Sequence, residues 1–463
     1  MNGLDWRLRG IAARGALALL ALPGCNPDTS AQGDGDMPGP TSSGDSTSTT
    51  GSSTSTTGTT STTTLDGSSS DTADGGSSTG DPPPPELLVH FGTFSASSTK
   101  GMQAVTGVGF EPHAVLLWIT EHQAAGLIDQ GHFGRGWTDG LHDGAVATAW
   151  ADGETATRSR WVDDACITLV NVQGDVVAEA STASLDADGF SLEWITPGNE
   201  RQVAYLALGG SVEAAVGNLV LTSPTETVDT VGFLPEAILL AGVEELPAPS
   251  TGSRGGHGFG VAVPGDASHG SAHRERSGGS GDGSSGLSSD VALVTANDVP
   301  PPSGIYSLSG VDLEGFALTH RTGVQPIGTT WLALRGLRAR AGVLTQPAAA
   351  GDMVVEVGFE SKVVLFDGGD AIDWQAVPEI VHGVAVGTAP QAALWQGRSS
   401  GALTEAVWDS QRALLSHDVG TRGALGEAAV SAVDGAGFTL QWTTTDGVGR
   451  HVGWLALGSP APG

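Results

Sequence analysis

Residues 108–117 read VGFEPHAVLL, residues 231–240 read VGFLPEAILL, and residues 357–366 read VGFESKVVLF. Each stretch opens with Val-Gly-Phe and leads, after a short step, into a run of apolar residues. Short apolar runs bounded by glycine or proline are typical of buried β-strands. Because the stretch recurs at a spacing of about 124 residues, we predict that the body of the chain is one β-rich unit repeated three times.

Two further landmarks recur in the same order in each repeat. The first is Asp-x-x-Gly-Phe, at Asp186–Phe190, Asp312–Phe316 and Asp434–Phe438. The second is Leu-Ala-Leu, at Leu206–Leu208, Leu332–Leu334 and Leu455–Leu457. A period of this length is far longer than a solenoid or propeller repeat, so each copy is expected to be a domain with its own core. We therefore define modules 1, 2 and 3 as residues 86–210, 211–336 and 337–463.

Composition favours an all-β fold for these modules. The chain contains 70 glycines, which suit many tight turns and would weaken a helical bundle. Short apolar segments separated by turn residues predict three tandem β-sandwich modules of jelly-roll type. Leu403–Leu415 also fits an amphipathic helix, but its counterpart in module 1, Trp161–Leu169, has the pattern of a strand. We expect strands in both places.

The charge balance excludes one large class of function. Asp and Glu number 51 against 20 Lys and Arg, giving a formal net charge of −31. Such a chain repels a phosphate backbone, so nucleic acid is not an expected partner. There are only two cysteines, Cys25 and Cys166, and they do not form a disulfide framework.

The first 24 residues have the pattern of an export signal. Arg7, Arg9 and Arg14 precede an apolar stretch over residues 15–22, which is too short to span a bilayer. The tetrapeptide Leu22-Pro23-Gly24-Cys25 then resembles the lipobox of bacterial lipoproteins. That resemblance implies that Cys25 becomes the lipidated N-terminal residue, holding the protein on a membrane through two acyl chains. The alternative is an ordinary signal peptide that is cleaved a few residues away.

Residues 25–85 are predicted to be a disordered linker. After Cys25 the segment consists largely of Ser, Thr, Gly and Asp, contains no Lys or Arg, and ends in four prolines. It cannot bury enough apolar surface to offset its chain entropy. A flexible coil of this length reaches roughly 40–50 Å. Together with the leader, the linker predicts an exported protein anchored at the outer membrane or cell surface.

Three histidines are candidates for a metal site. His132, His257 and His382 follow one another at equal spacing, as if they were equivalent positions of the three modules. If the modules closed into a ring with like faces inward, these imidazoles could converge on a metal ion. The alternative is a hydrogen-bonded structural role or simple exposure to solvent.

Two other repeated features are better explained by structure. Asp186, Asp312 and Asp434 invite a carboxylate site, yet Asp at the start of a turn that ends in Gly is ordinary turn chemistry. Cys166 aligns with Ala292 and Ala413, which indicates a small buried strand position and not a nucleophile.

The sequence contains no recognisable catalytic or cofactor motif, and no cofactor is expected. Our first functional hypothesis is a non-enzymatic surface lipoprotein whose modules bind an extracellular ligand or pack with neighbouring copies. The second is a secreted hydrolase or metal-dependent enzyme with a site in loops of module 1. That module has Asp129, Asp139, His142 and Asp143 close to His132 in sequence. A cleft that gathers these side chains would favour the enzyme.

Overall fold

The structure, a computed structural model, describes residues 86–151, 156–244, 248–252, 255–275, 283–296, 302–323, 326–368, 379–398 and 404–461. All of them belong to one compact unit, Thr79–Gly463. The predicted leader, Cys25 and the linker lie outside the described residues. No helix long and apolar enough to cross a membrane occurs among the described residues.

The fold is all-β, as predicted. Module 1 contributes the strands β1 (Leu87–Ser95), β2 (Gly101–Thr106), β3 (Pro112–Thr120), β4 (Gly126–Ile128), β5 (Phe133–Thr138), β6 (Asp143–Ala149), β7 (Arg158–Val162), β8 (Ile167–Val170), β9 (Val176–Asp186), β10 (Gly189–Thr196) and β11 (Gln202–Gly210).

Module 2 contributes β12 (Glu213–Leu221), β13 (Thr225–Val228), β14 (Ala237–Val243), β15 (Ser250–Gly252), β16 (Gly255–Ala262), β17 (Ser268–Glu275), β18 (Gly283–Ser289), β19 (Leu293–Thr295), β20 (Gly304–Val311), β21 (Phe316–Gly323) and β22 (Ile327–Arg335). Module 3 contributes β23 (Arg338–Thr345), β24 (Gly351–Glu356), β25 (Val363–Gly368), β26 (Glu379–Val386), β27 (Gln391–Arg398), β28 (Thr404–Asp409), β29 (Leu414–His417), β30 (Ala424–Val433), β31 (Gly437–Thr445) and β32 (His451–Gly458).

Each module forms a large and a small antiparallel sheet packed face to face. In module 1 the large sheet has the order β1-β11-β3-β5-β6-β7 and the small sheet β2-β10-β9-β8. Modules 2 and 3 repeat this order, with β12-β22-β14-β16-β17-β18 over β13-β21-β20-β19 and β23-β32-β25-β26-β27-β28 over β24-β31-β30-β29. The segment Leu403–Leu415, for which a helix was the alternative, contains β28 and the start of β29.

Two short strands cross between modules. β15 of module 2 pairs with β7 and extends the large sheet of module 1, and β4 of module 1 pairs with β28 and extends that of module 3. Modules 2 and 3 also touch, because Ser271 donates a hydrogen bond to Asp367. Every module therefore contacts both others, and we refer to the assembly as the ring.

The central strands of each large sheet, such as β3, β14 and β25, are buried on both faces. Along β3, Val115, Leu117 and Ile119 face the small sheet of module 1 and form that module's own core. The alternate residues Leu116 and Trp118 face inward and join a core shared by all three modules. Burial on both faces explains why these strands have continuous apolar runs instead of alternation. Modules 2 and 3 likewise have separate cores of their own.

The repeated Asp-x-x-Gly-Phe element is a turn, as the sequence indicated. The side chains of Asp312 and Asp434 each accept two backbone N–H bonds within the turn. The phenylalanine that follows is buried in every copy, at Phe190, Phe316 and Phe438. Cys166, Ala292 and Ala413 are completely buried, as expected for small core positions.

The described chain begins and ends at the same place on the ring. The backbone N–H of Leu87 donates to Oγ of Ser459 at 3.3 Å, and Glu86 lies 3.2 Å from Nζ of Lys362. The carbonyl oxygen of Glu86 also accepts from the N–H of Ser211, where module 1 passes into module 2.

Candidate functional site

Three glycines identify the equivalent positions of the modules. Gly136, Gly260 and Gly383 each lie against a backbone carbonyl oxygen of the small sheet, where an added Cβ would come within 1.7 to 2.3 Å. These oxygens belong to Cys166, Ala292 and Ala413, which are themselves equivalent. Only glycine allows the sheets to approach so closely. The residue before each glycine is therefore equivalent too: Arg135, Phe259 and His382.

The strand ladders extend this equivalence into a row across each large sheet. Arg135 pairs with Trp118 and Val146, Phe259 with Ala241 and Ser271, and His382 with Asp367 and Leu394. The three copies thus hold different residues at the same three positions. Polar side chains from all three rows meet where the modules adjoin, and with two neighbouring histidines they form the central cluster: Arg135, His257, Ser271, His273, Asp367 and His382.

Asp367 contacts residues of all three modules within this cluster. Its carboxylate accepts from Nη1 of Arg135 in module 1 at 2.8 Å and from the hydroxyl of Ser271 in module 2, and it lies 2.8 Å from Nδ1 of His382 in its own module. Burial opposes ionisation of Asp367. The adjacent His382 and Arg135 outweigh that effect, and they lower the pKa of the carboxyl group to about 2. One carboxylate therefore connects all three modules as an anion.

Arg135 is enclosed by aromatic rings as well as by its ion pair. Its guanidinium carbon lies 3.8 Å from the ring centroid of Phe259 and 5.7 Å from that of Trp118. Only 5% of the residue is exposed. Burial lowers the pKa of Arg135, and the charge of Asp367 opposes that shift. A guanidinium nevertheless stays protonated in proteins, so the cluster holds a fixed positive charge.

The histidines of the cluster are neutral and stacked. The ring of Phe133 lies 4.4 Å from that of His382 and 5.4 Å from that of His257, and these two imidazoles are 5.7 Å apart. Burial lowers the pKa of His382 to about 4 and of His273 to about 3, and it lowers the pKa of His257 well below its usual range. A neutral His382 uses Nδ1 either to donate to Asp367 or to accept from Arg135, whose Nη2 is 2.9 Å away.

His132 does not belong to this cluster, and the predicted equivalence of the three histidines is wrong. The glycine register aligns His257 with Phe133, His382 with Arg135, and His132 with Gly256 and Glu379. His132 pairs instead with Glu121, Nδ1 to Oε1 at 2.6 Å. The equivalent glycines are 124 and 123 residues apart, and the histidines lie four, three and one residues before them, so their equal spacing is a coincidence.

The three imidazoles therefore do not converge. His257 and His382 meet at the centre of the ring, while His132 lies in module 1 beside Glu121 and Arg201. Burial opposes ionisation of Glu121, but hydrogen bonds from His132 and Arg201 outweigh it and lower its pKa to about 2. Within the described residues, no three His, Cys, Asp or Glu side chains are placed to hold a metal ion.

The other polar residues of module 1 do not form one cluster: Asp129 lies with Glu121 on an open cavity of about 580 Å³, whereas Asp139 and His142 pair in a turn, 3.3 Å apart. Asp129 pairs with Arg422 of module 3 at 2.7 Å. Asp139 accepts from the backbone N–H of Val216 in module 2. His142 is exposed, and Asp143 accepts from the backbone N–H of Thr182. These groups hold turns and module contacts together.

The central cluster is closed to substrates. A cavity of about 20 Å³ lies beside His382 and another of about 10 Å³ beside His257. Spaces of this size hold at most a water molecule. Each residue of the cluster is at most 5% exposed. The arrangement can join modules, but nothing larger than water can reach it.

Sequence reasoning missed Arg135, Ser271 and Asp367, although two signals for them exist. Arg135 is a lone charge between glycines in an apolar strand, and Asp367 directly follows the apolar run Val363–Phe366. A charge within a buried strand requires a partner. The identity of that partner depends on how the modules meet, which is not encoded in any local pattern.

The comparisons with known proteins do not assign the chain to a family. No protein-family model matches the chain, and no curated protein sequence matches it either.

Proposed function

We propose that this chain is an exported, lipid-anchored surface protein that displays a rigid, non-enzymatic ring on a flexible linker. The leader that ends at Cys25 and the Ser/Thr-rich segment after it support the anchor. The observation that carries the non-enzymatic part is the central cluster. Its charged and polar groups are closed to substrate, and four of them form hydrogen bonds to one another across three modules: Arg135, Ser271, Asp367 and His382.

The described surface supports packing with neighbouring copies over binding of an extracellular ligand. Every Trp and Tyr in the described residues is buried. Ligand pockets usually rely on apolar and aromatic linings. The largest exposed apolar side chains are aliphatic and scattered, Leu141, Leu313 and Val354 among them. A surface of this kind suits display and packing beside neighbouring copies.

The anchor is tested by replacing Cys25→Ser in cells that produce the full chain. Wild-type protein should incorporate labelled palmitate and fractionate with membranes. The variant should lose the label and appear in the soluble exported fraction, because the acylated side chain is missing. Cys166→Ala is the matched control, since the equivalent positions are Ala292 and Ala413, and it should keep the label. Absence of label from wild-type protein would refute the anchor.

The non-enzymatic part has a separate test. Arg135→Met removes the fixed charge from the central cluster, and we expect it to change the thermal melting of the ring. If a hydrolytic activity of the wild-type protein on ester, peptide or glycoside substrates were found and Arg135→Met abolished it without altering melting, the cluster would be catalytic and the proposal wrong.

A further inference from the structure

We propose that the pair Arg135–Asp367 is a specificity contact, which makes the inward face of module 3 the only face that fits against modules 1 and 2. The partner that this surface accepts is residues 337–461 of the same chain. The role of the ion pair is to exclude modules 1 and 2 from the position of module 3.

The three modules are similar enough to be mistaken for one another. They share sheet order, the Gly-to-carbonyl contacts and a continuous apolar inward face. Apolar contact is not directional, so by itself it would tolerate a module in the wrong position. A pair of chains that exchange modules would bury the same kind of surface.

The row of residues around Asp367 removes that ambiguity. At the position of Asp367, module 1 has Trp118 and module 2 has Ala241. If either took the place of module 3, the guanidinium of Arg135 would be buried without a carboxylate. With module 1 there, a second arginine would also replace His382 and face the first. Burying an unpaired charge is strongly unfavourable, so only module 3 closes the ring.

Buried ion pairs often add little stability compared with apolar residues, but they can select one arrangement among several. The pair here is buried on both sides, with 5% and 2% of the side chains exposed. It also joins different modules, unlike the pair of Arg201 and Glu121, which lies within module 1 at 2.6 Å. That difference provides a matched control.

The test compares refolding of the full chain with that of two double variants. Arg135→Met with Asp367→Leu replaces the central pair, and Arg201→Met with Glu121→Leu replaces the pair within module 1. Two differently tagged samples of each protein are unfolded in denaturant, mixed and refolded by dilution. We then measure the molar mass of the refolded protein and the fraction of one tag that is recovered when the protein is purified through the other tag.

We expect wild type and the control variant to refold as monomers that do not carry both tags. The central double variant should fold, with a melting temperature close to that of wild type, yet show a several-fold larger fraction of mixed oligomers. A purely monomeric central variant would overturn the proposal. So would mixed oligomers in equal amount from the control variant.

A second, more conservative double variant is tested in case the first central variant does not fold. Arg135→Gln with Asp367→Asn removes the charges but retains polar side chains, and we expect a smaller increase in mixed oligomers. If both central variants fail to refold while the control variant refolds, the pair is required for stability and the proposal is wrong.

Discussion

At the scale of single residues, the structure separates what the sequence could predict from what it could not. The turn role of Asp312 and the buried role of Cys166 follow from local chemistry and are confirmed. The equivalence of His132 with His257 and His382 is wrong, because the three histidines lie at different distances from the equivalent glycines. Asp367 owes its role to residues more than 90 positions away, Arg135 and Ser271, so no local pattern could reveal it.

Acid should destabilise the ring. The pKa values of His257, His269, His273 and His382 are lowered by burial, so these rings stay neutral in the fold and become protonated only on unfolding below about pH 6.5. Each of these histidines lowers the free energy of unfolding by up to about 1.4 kcal/mol for every unit by which the pH falls below about 6.5. Burial raises the pKa of Glu379 to about 8, which has the opposite sign: its contribution is lost as pH rises from 4.5 to 8.

The pKa values of His122 and His417 are lowered as well. Six such histidines outweigh Glu379 and Asp143, whose pKa values are raised, so the melting temperature should fall steadily between pH 6.5 and 4.5. Below pH 4 the lowered pKa of Asp367 adds to the loss as its unfolded form takes up a proton. His273→Phe tests the cause, because both ring nitrogens of His273 are buried without a hydrogen-bond partner and the ring packs on Trp150.

This variant should be as stable as wild type at pH 7 and lose less stability in acid. His142→Phe is the control, since the side chain of His142 is 64% exposed, and this variant should lose stability in acid as wild type does. Equal pH dependence for His273→Phe and wild type would show that the buried histidines do not cause the acid response.

At the scale of elements, apolar patterns in the sequence were sufficient to predict the strands. They did not predict that β4 and β15 pair with the sheets of other modules. The runs that begin at Ala114, Ala237 and Val363 form β3, β14 and β25. The strands β4 and β15 are three residues each, which is too short to show an apolar period. They exist because a neighbouring sheet offers unpaired backbone groups at its edge, which only the assembled ring reveals.

The exchanged strand β15 should protect the edge of module 1. Thr251 pairs with Arg160 on β7, and its hydroxyl also accepts from Nη1 of that arginine at 3.2 Å. Thr251→Pro fixes φ and removes a backbone donor, so β15 should detach. Amide hydrogen exchange over Arg158–Val162 should then accelerate at least tenfold, while β9 and β10 remain protected.

Thr251→Val is the control for this experiment. It removes the side-chain hydrogen bond but keeps the backbone donor and a high strand propensity. Protection of β7 should therefore persist. Loss of protection with valine, or its retention with proline, would mean that the backbone pairing of β15 does not hold this edge.

At the scale of the whole molecule, the repeats are separate sandwiches that also share a core. The sequence predicted a core for each module, and each has one, but the inward core unites residues such as Leu116, Leu239 and Leu365 from all three. This second core could not be predicted, because an apolar residue on either face of a strand looks the same in sequence. The continuous apolar runs were the only sequence feature that indicated this shared core.

Residues 337–461 produced alone should fold but not remain monomeric. The fragment keeps its own core, including Phe366, Trp395 and Phe438, so a β-type far-UV spectrum and a cooperative melt are expected. It also exposes the inward residues Leu365, Trp408 and Leu455, and apolar surface on that scale promotes association.

Light scattering after size exclusion should show oligomers of the fragment and a monomer of the full chain. Replacing inward Leu365 and Leu455 by Ser in the fragment should restore the monomer, whereas Val354→Ser on its outer face should not. A monomeric wild-type fragment would mean that the shared core contributes little.

The meeting of the two chain ends at Leu87 and Ser459 has a consequence for what holds the ring together. Peptide bonds join module 1 to module 2 and module 2 to module 3. No peptide bond joins Ser459 to Leu87, and a hydrogen bond and the ion pair of Glu86 with Lys362 bring these two places together. The first and last strands are thus placed as if the backbone continued through them. A circular permutant that joins residue 459 to residue 86 and opens the chain between Arg335 and Arg338 would have the same three neighbours in the same order.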